Sequence, residues 1–440
     1  MRVDTTPNVY KPGETELPQE IEERVQRRNK AMGPSYRLAY SEPIHFVRGE
    51  GIWLYDANGQ AYLDFYNNVV SIGHCHPRVV NAMRQQAETL CTNTRYLNDV
   101  VIEYSERLTS LFPKELSQVI FACTGSEAND LACRIAQFHT GGDGFIVSEF
   151  AYHGTSALAA SMSPNLSPTM PLGRSVRTVP APIADRHTRD LNAVGAKFEH
   201  DVRTAIAQLK RHGIKPAALV VDTIFSSDGV FPDPAGFLKG AFDAIRKEGG
   251  LFIADEVQPG FARTGEAMWG FERHGIVPDL VTIGKPMGNG YPMSGLIGRP
   301  DVMQKFGDNA RYFNTFGGNT VAAANGLAVL DVIRDEELLA NARTVGGFLK
   351  QGLQAIDSPF VNDVRGVGLY CAIDIIDSDG TPSGKGAQAV VNGLKQKKIL
   401  ISATGKNENS LKIRPPLIAT KQNVEHFVDA IRDVISELNL

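Results

Sequence analysis

Two rhythms of apolar and polar positions alternate along this chain. In the middle third, FIVSEF, ALVVDTIF, LFIADEV and LVTIG are apolar runs of strand length, with no polar alternation. Helical stretches lie between some of them. GFLKGAFDAIRKEGG repeats apolar residues every three to four positions, and ACTGSEANDLACRIAQFH reads as a turn running into a helix. Continuous apolar strands that alternate with helices predict a mostly parallel sheet covered on both faces, an α/β fold. Ligands of such sheets sit beyond the carboxyl ends of the strands.

The flanks have a different pattern. Residues 1 to about 40 read as a flexible start followed by a charged helix, IEERVQRRNKA. IHFVRGEGIWLYDANGQAYLDF predicts short antiparallel strands with turns at Gly51 and Asp56–Gly59. A helical stretch from Val321 leads to strands in FVNDVRGVGLYCAIDII, then to an amphipathic final helix, KQNVEHFVDAIRDVISEL. These segments divide the chain into 1–65, an N-terminal part contributing to a smaller α+β domain, a large domain at 66–320, and a C-terminal small domain at 321–440. The Ser-, Pro- and Thr-rich stretch 162–190 reads as a long surface loop.

Bulk properties narrow the function. The 440 residues exceed one small core, and 42% hydrophobic with 21% charged residues is ordinary for a globular protein. A net charge of −4 carries no footprint for nucleic acid or an anionic membrane. No apolar run of about 18 residues predicts a membrane span, and the polar N-terminus has no signal core. Five cysteines without a CxxC pair fit a reducing cytoplasm.

Three strand ends carry unusual polar residues. Lys285 follows LVTIG and is surrounded by Gly284, Pro286, Gly288 and Gly290. A lysine there is ordinarily a solvated surface residue, but a desolvated one has a lowered pKa and condenses with aldehydes. Asp255 and Glu256 end LFIADEV, 30 positions before that lysine (285 − 255 = 30). A surface acid or helix cap is the plainer account; a buried carboxylate facing a cationic ring nitrogen is the functional one, with Gln258 close enough to donate to a phenolic oxygen. Thr124-Gly125-Ser126 precedes a helix, where free N–H groups and the helix dipole favour an anion. Tyr152 in AYHG either packs in the core or lies on a planar cofactor. The histidines of GHCHP, His74 and His76, lack further ligands at suitable spacing, so the motif reads as a tight turn with no metal. No GxGxxG stands between strand and helix, which disfavours a nicotinamide enzyme.

In order along the chain, GHCHP, TGSEAND, AYHG, ADEVQ, GKP, FNTFGGN, RGVGL and a final PPL resemble the class III aminotransferases, pyridoxal-phosphate enzymes of fold type I, from about Ile44 to the C-terminus. The resemblance implies that Lys285 holds the cofactor aldehyde, Asp255 the pyridine nitrogen and Gln258 the phenolic oxygen. Val257 would pack behind the ring and Tyr152 in front of it. Gly125 and Ser126 would bind the cofactor phosphate, joined by Thr315 from the neighbouring subunit of a homodimer. The stretches AMGPS, YNNVVSIGHCHP, TNTRYLND, VTIGKPMGNG, YFNTFGGN and DVRGVGL are most similar to a side branch, the ethanolamine-phosphate phospho-lyases. Where most aminotransferases of the class carry Arg-x-x-Pro-Pro-Leu, this chain has LKIRPPL, so Lys412 stands in place of the carboxylate-binding arginine, with Arg414 nearby. Ser227 stands where many relatives acting on dicarboxylates carry glutamate. Arg37, Asn68, Lys412 and Arg414 are the expected substrate contacts. Phosphate elimination from O-phosphoethanolamine is the favoured activity, and amino transfer between an amine and a keto acid such as pyruvate the alternative. Intact Lys285, Asp255 and phosphate loop argue against a non-catalytic binding protein.

Overall fold

The computed structural model describes residues 8–184 and 190–438. The first residues of the expected flexible start and five residues near the end of the 162–190 stretch lie outside the described residues.

Fifteen strands form three sheets among the described residues. At the N-terminal side, β1 (Phe46–Glu50), β2 (Trp53–Asp56) and β3 (Ala61–Asp64) run antiparallel. The central seven are β4 (Gln118–Ala122), β5 (Gly144–Ser148), β6 (Val176–Val179), β7 (Pro216–Asp222), β8 (Leu251–Asp255), β9 (Leu280–Ile283) and β10 (Ser294–Gly298). Their order is β4-β10-β9-β8-β7-β5-β6, and β10 alone runs against its neighbours. Four more, β11 (Val361–Val367), β12 (Tyr370–Ile375), β14 (Ser402–Thr404) and β15 (Ser410–Ile413), form an antiparallel sheet, while β13 (Ile399–Leu400) pairs in parallel with β3.

The apolar runs became buried strands because both faces of the sheet are covered. Successive side chains point to opposite faces. Phe145, Val147, Val220 and Ile253 pack with Leu131 and Ile135 of the helix Gly125–Thr140. Ile146, Leu219, Val221 and Phe252 pack on the other side with Phe198, Val202, Phe242 and Ile245. The last helix, Lys421–Ser436, buries Val424, Phe427, Val428 and Ile431 on one stripe, and Phe427 stacks on Phe65 with centroids 4.5 Å apart. That contact fastens the chain's end to its N-terminal strands.

Two local expectations are corrected. The stretch 162–190 is not all loop: Val176–Val179 forms edge strand β6, its Val176 and Val179 buried beside β5. The helical stretch from Val321 is two helices, Thr320–Asp335 and Leu338–Gln354, broken where Glu337 takes a left-handed φ of 51°. In GHCHP, Cys75 is also left-handed (φ 52°), His74 Nε2 meets Asp64 Oδ2 at 2.8 Å, and His76 Nε2 meets Glu336 at 3.0 Å. No described helix is long and apolar enough to cross a membrane.

Candidate active site

The carboxyl ends of β8 and β9 and the start of the helix Gly125–Thr140 converge. Val257 joins them: a Cβ on Gly125 would stand 3.1 Å from a Val257 methyl, and one on Gly284 would stand 3.6 Å away. Glycine at 125 therefore lets the helix N-terminus approach the turn after β8. Thr124 caps that helix in a reciprocal box with Glu127. The first-turn N–H groups of Gly125 and Ser126 have no carbonyl within the helix to bond. The helix adds roughly half a positive charge at this end. Ser126 Oγ accepts from Thr155 N at 3.0 Å, and a Cβ on Gly154 (φ 134°) would collide with it at 2.4 Å. Glycine in AYHG thus brings the segment after β5 onto the helix start.

Asp255, the last residue of β8, is buried and held from three sides. Asn129 Nδ2 donates to Oδ2 at 3.0 Å, His153 Nδ1 lies 2.7 Å from the same oxygen, and Val257 N donates to Oδ1 at 3.1 Å. Thr282 Oγ1 in turn donates to Asn129 Oδ1 at 2.7 Å. Glu256, the adjacent acid, points elsewhere. It is fully buried and accepts from Thr223 Oγ1 (2.8 Å), Gly270 N (2.6 Å) and Phe271 N (2.8 Å). Burial pushes its carboxyl up to about 8, and that of Asp228, which accepts from Ser148 Oγ and Phe150 N, up to about 7.

These two raised values set a pH expectation. Each acid binds its proton more tightly folded than unfolded, so the stability it contributes is full below about pH 4 and is lost as pH rises to about 7–8. The melting temperature should fall across that window, and Glu256→Gln combined with Asp228→Asn should flatten the fall. An unchanged slope in the double variant would show that neither acid is protonated in the fold.

Lys285 follows β9 at a left-handed φ of 26°. A side-chain residue at positive φ is strained by about 1–3 kcal/mol, which the surrounding packing must hold. Its half-buried side chain faces a cleft of about 520 Å³. Burial lowers its ammonium to about 8; Arg414 lowers it further, while Asp255 and Asp222 oppose the shift. Tyr152, Gln258, Lys412, Arg414 and Arg37 line the same cleft. Tyr152 is partly exposed and Arg37 is exposed. Asn68 is buried, its Nδ2 donating to Gln258 O (3.1 Å) and Oε1 (3.2 Å). Lys412, on β15, is buried and held well below the usual ammonium range by burial and then by Arg414. Thr315 is exposed and does not line the cleft of its own chain.

Sequence reasoning passed over Asn129, His153 and Asp222. The first two lie inside quoted motifs; Asn129 is three residues from Ser126, hence on the same helix face. Asp222, at the end of β7, accepts from Ile224 N and Ser226 N, each at 3.1 Å, and is the main negative charge acting on Lys412. Asn8 and Val9 also line the cleft, held by a bridge between Val9 and Ala39. A second cavity of about 480 Å³, bordered by Asp228, Phe231 and Arg365, contains none of the expected site residues.

The donor set fits pyridoxal phosphate. An amine of lowered pKa, a buried acid held in place, and a glycine-lined helix N-terminus meet the needs of an aldehyde, a ring nitrogen and a phosphate respectively.

Comparisons with known proteins agree. The sequence model of the aminotransferase class-III family matches residues 37–435. A Drosophila melanogaster protein named alanine–glyoxylate aminotransferase 2-like is 36% identical over 431 residues, covering 94% of this chain and 87% of its own. The Caenorhabditis elegans ethanolamine-phosphate phospho-lyase homolog 1 is 34% identical over 440 residues, covering 95% of this chain and 94% of its own. Among solved structures, a phospholyase from Arthrobacter in complex with phosphoethanolamine superimposes with a TM-score of 0.91 at 39% identity, covering 94% of this chain and all of that one.

Proposed function

This chain belongs to the class III aminotransferase family, whose cofactor is pyridoxal phosphate, and we propose that it eliminates phosphate from a phosphorylated primary amine, with O-phosphoethanolamine the expected substrate. One water is consumed; acetaldehyde, ammonia and inorganic phosphate are released. The observation that carries this proposal is Lys412. It is a buried amine lining the same cleft as Lys285, 5.8 Å from the centre of the Tyr370 ring, and it forms no side-chain ion pair among the described residues. An unpaired buried ammonium is costly unless an anion joins it or it loses its proton. Lysine is a compact point charge that suits phosphate and lacks the planar fork that matches a carboxylate. The similarity to the Arthrobacter phospholyase supports the same substrate class.

When bound, pyridoxal phosphate supplies a ring that accepts the electron pair left on the substrate carbon bearing nitrogen. The chain's residues do the rest. Lys285, its pKa lowered to about 8, has a substantial neutral fraction near neutral pH and takes the proton from that carbon. Asp255, fixed by Asn129 and His153, stabilises positive charge at the ring nitrogen. Tyr152, which lines the cleft, would cover the open face of the ring. Lys412 holds the phosphate as the bond from carbon to oxygen breaks, and Arg37 closes the outer end. In this scheme the large domain at 66–320 carries the cofactor groups, and the small domain, 321–440 with 1–65, supplies Lys412, Arg414 and Arg37.

Amino transfer to a keto acid uses the same first proton removal and is favoured by the similarity to the alanine–glyoxylate aminotransferase 2-like protein. O-Phosphoethanolamine given alone, with no keto acid, should release phosphate and acetaldehyde. Release of neither, alongside turnover of an amine with pyruvate, would establish amino transfer instead. Lys412→Ala should raise KM for the phosphorylated amine by at least about 10-fold, the value of one charge-assisted hydrogen bond. Initial rates against substrate concentration check this, and an unchanged KM would remove Lys412 from the phosphate site.

A cytoplasmic homodimer with shared sites belongs to the same proposal. The exposure of Thr315, outside its own cleft, supports this reading. A sedimentation mass of one chain, 47.9 kDa, would contradict the dimer.

A further inference from the structure

Arg414, one of the cations of the cleft, is engaged with groups of the chain itself. Its Nε donates to the Tyr66 carbonyl at 2.7 Å and its Nη1 to Gln258 Oε1 at 2.8 Å, while the guanidinium lies 4.7 Å from the centre of the Tyr66 ring. The same Gln258 oxygen also receives Asn68 Nδ2 at 3.2 Å and the Tyr370 hydroxyl at 3.3 Å. An amide oxygen has two lone pairs, so three donors saturate it. A carboxamide held this way has one orientation. Its oxygen faces the donors, and its NH2 is the group left for the cleft that Gln258 shares with Lys285.

We propose that Arg414 is a positioning residue, which locks Gln258 so that an N–H and not a carbonyl meets the phenolic oxygen of bound pyridoxal phosphate, and that it does not grip the substrate's anion. The proposal rests on the place of Gln258 beside that oxygen. It does not depend on whether the reaction is elimination or amino transfer. The choice of amide face matters electrostatically. The phenolic oxygen carries negative charge, and a donor there stabilises it. A neighbouring proton is then released more easily; a carbonyl in the same place would repel the charge and hold that proton. Of the two basic residues at the end of β15, Lys412 within it and Arg414 just after it, this leaves Lys412 for the substrate.

The test is a pH titration of the visible absorption band of the bound cofactor, which follows that proton. In Gln258→Leu the midpoint should rise by about one unit, tenfold in proton affinity. Arg414→Met should raise it comparably, and Arg414→Lys, which keeps one donor, by less. The double variant Arg414→Met with Gln258→Leu should shift no further than Gln258→Leu alone, because both changes remove one coupled contact. Inhibition by inorganic phosphate should stay within about threefold of wild type in Arg414→Met but weaken at least about tenfold in Lys412→Ala. An unmoved midpoint in Arg414→Met, with Gln258→Leu shifted, overturns the positioning role. So does a tenfold loss of phosphate inhibition in Arg414→Met. An unmoved midpoint in Gln258→Leu removes the premise and the proposal together. Should Arg414→Met fail to fold, the Arg414→Lys midpoint decides: a value between wild type and Gln258→Leu supports the lock, and a wild-type value contradicts it.

Discussion

Replacing Lys285 by alanine should lower turnover by at least about 10³-fold, because in the proposed scheme one side chain both anchors the cofactor and carries the proton. The geometry leaves little to take over. The other lysine lining the cleft is Lys412, which the proposed scheme reserves for the substrate. Its pKa is held down mainly by burial and by Arg414, and Asp222 is the main charge acting to retain its proton. Lys285 is placed differently. It leaves the end of β9 at a strained φ of 26°, beside Val257 and within the influence of Asp255. Steady-state rates with O-phosphoethanolamine check the loss. A variant within tenfold of wild type would mean that another group moves the proton. The pH dependence carries the same signature: the amine is free only after substrate has displaced it from the cofactor, so with that amine near 8, kcat should rise towards pH 8 and then level. A flat profile between pH 6 and about 8 would argue against a proton-accepting lysine.

Asp255→Asn should cost about 10²–10⁴-fold in kcat while the fold stays intact. The amide keeps the size of the acid, and its one oxygen can still accept from either Asn129 Nδ2 or the Val257 N–H. In the proposed scheme it would lack the charge that stabilises a protonated ring nitrogen, and the ring would be a poorer electron acceptor. A structural role would behave otherwise: it would show as a lowered melting temperature with the rate per folded molecule preserved. His153→Ala should follow Asp255→Asn in direction but to a smaller extent. His153 touches the acid at 2.7 Å, and its buried Nε2 has no hydrogen-bond partner among the described residues.

Much of this arrangement is legible along the chain, and the reason is local. ALVVD, LFIAD and LVTI have no polar alternation because each strand is covered on both faces, so sequence alone marks them as interior. Their ends are equally readable: a charged residue closes a buried run at Asp255, and another follows one, flanked by glycine, at Lys285. Strand β6 is harder to see. It is four residues long, at the sheet edge, with a half-exposed Arg177 and an exposed Thr178 between two valines, embedded in turn-rich sequence. The support of the site is invisible for a different reason. Asn129 reaches Asp255 across 126 positions, Asn68 reaches Gln258 across 190, and Arg414 reaches Gln258 across 156. Such contacts follow from strand order and leave no periodic trace. The expectation that Arg414 contacts substrate came from its neighbourhood in LKIRPPL; its side chain is engaged with Tyr66 and Gln258.

Two lysines of lowered pKa share one cleft, and the account assigns the cofactor to one and the substrate's phosphate to the other. Borohydride reduction of the holoenzyme, followed by peptide mapping by mass spectrometry, separates them. The cofactor-derived mass should appear on the peptide containing Lys285 and be absent from the peptide containing Lys412. A label on Lys412, or no label on either lysine in protein that has taken up pyridoxal phosphate, would contradict the assignment.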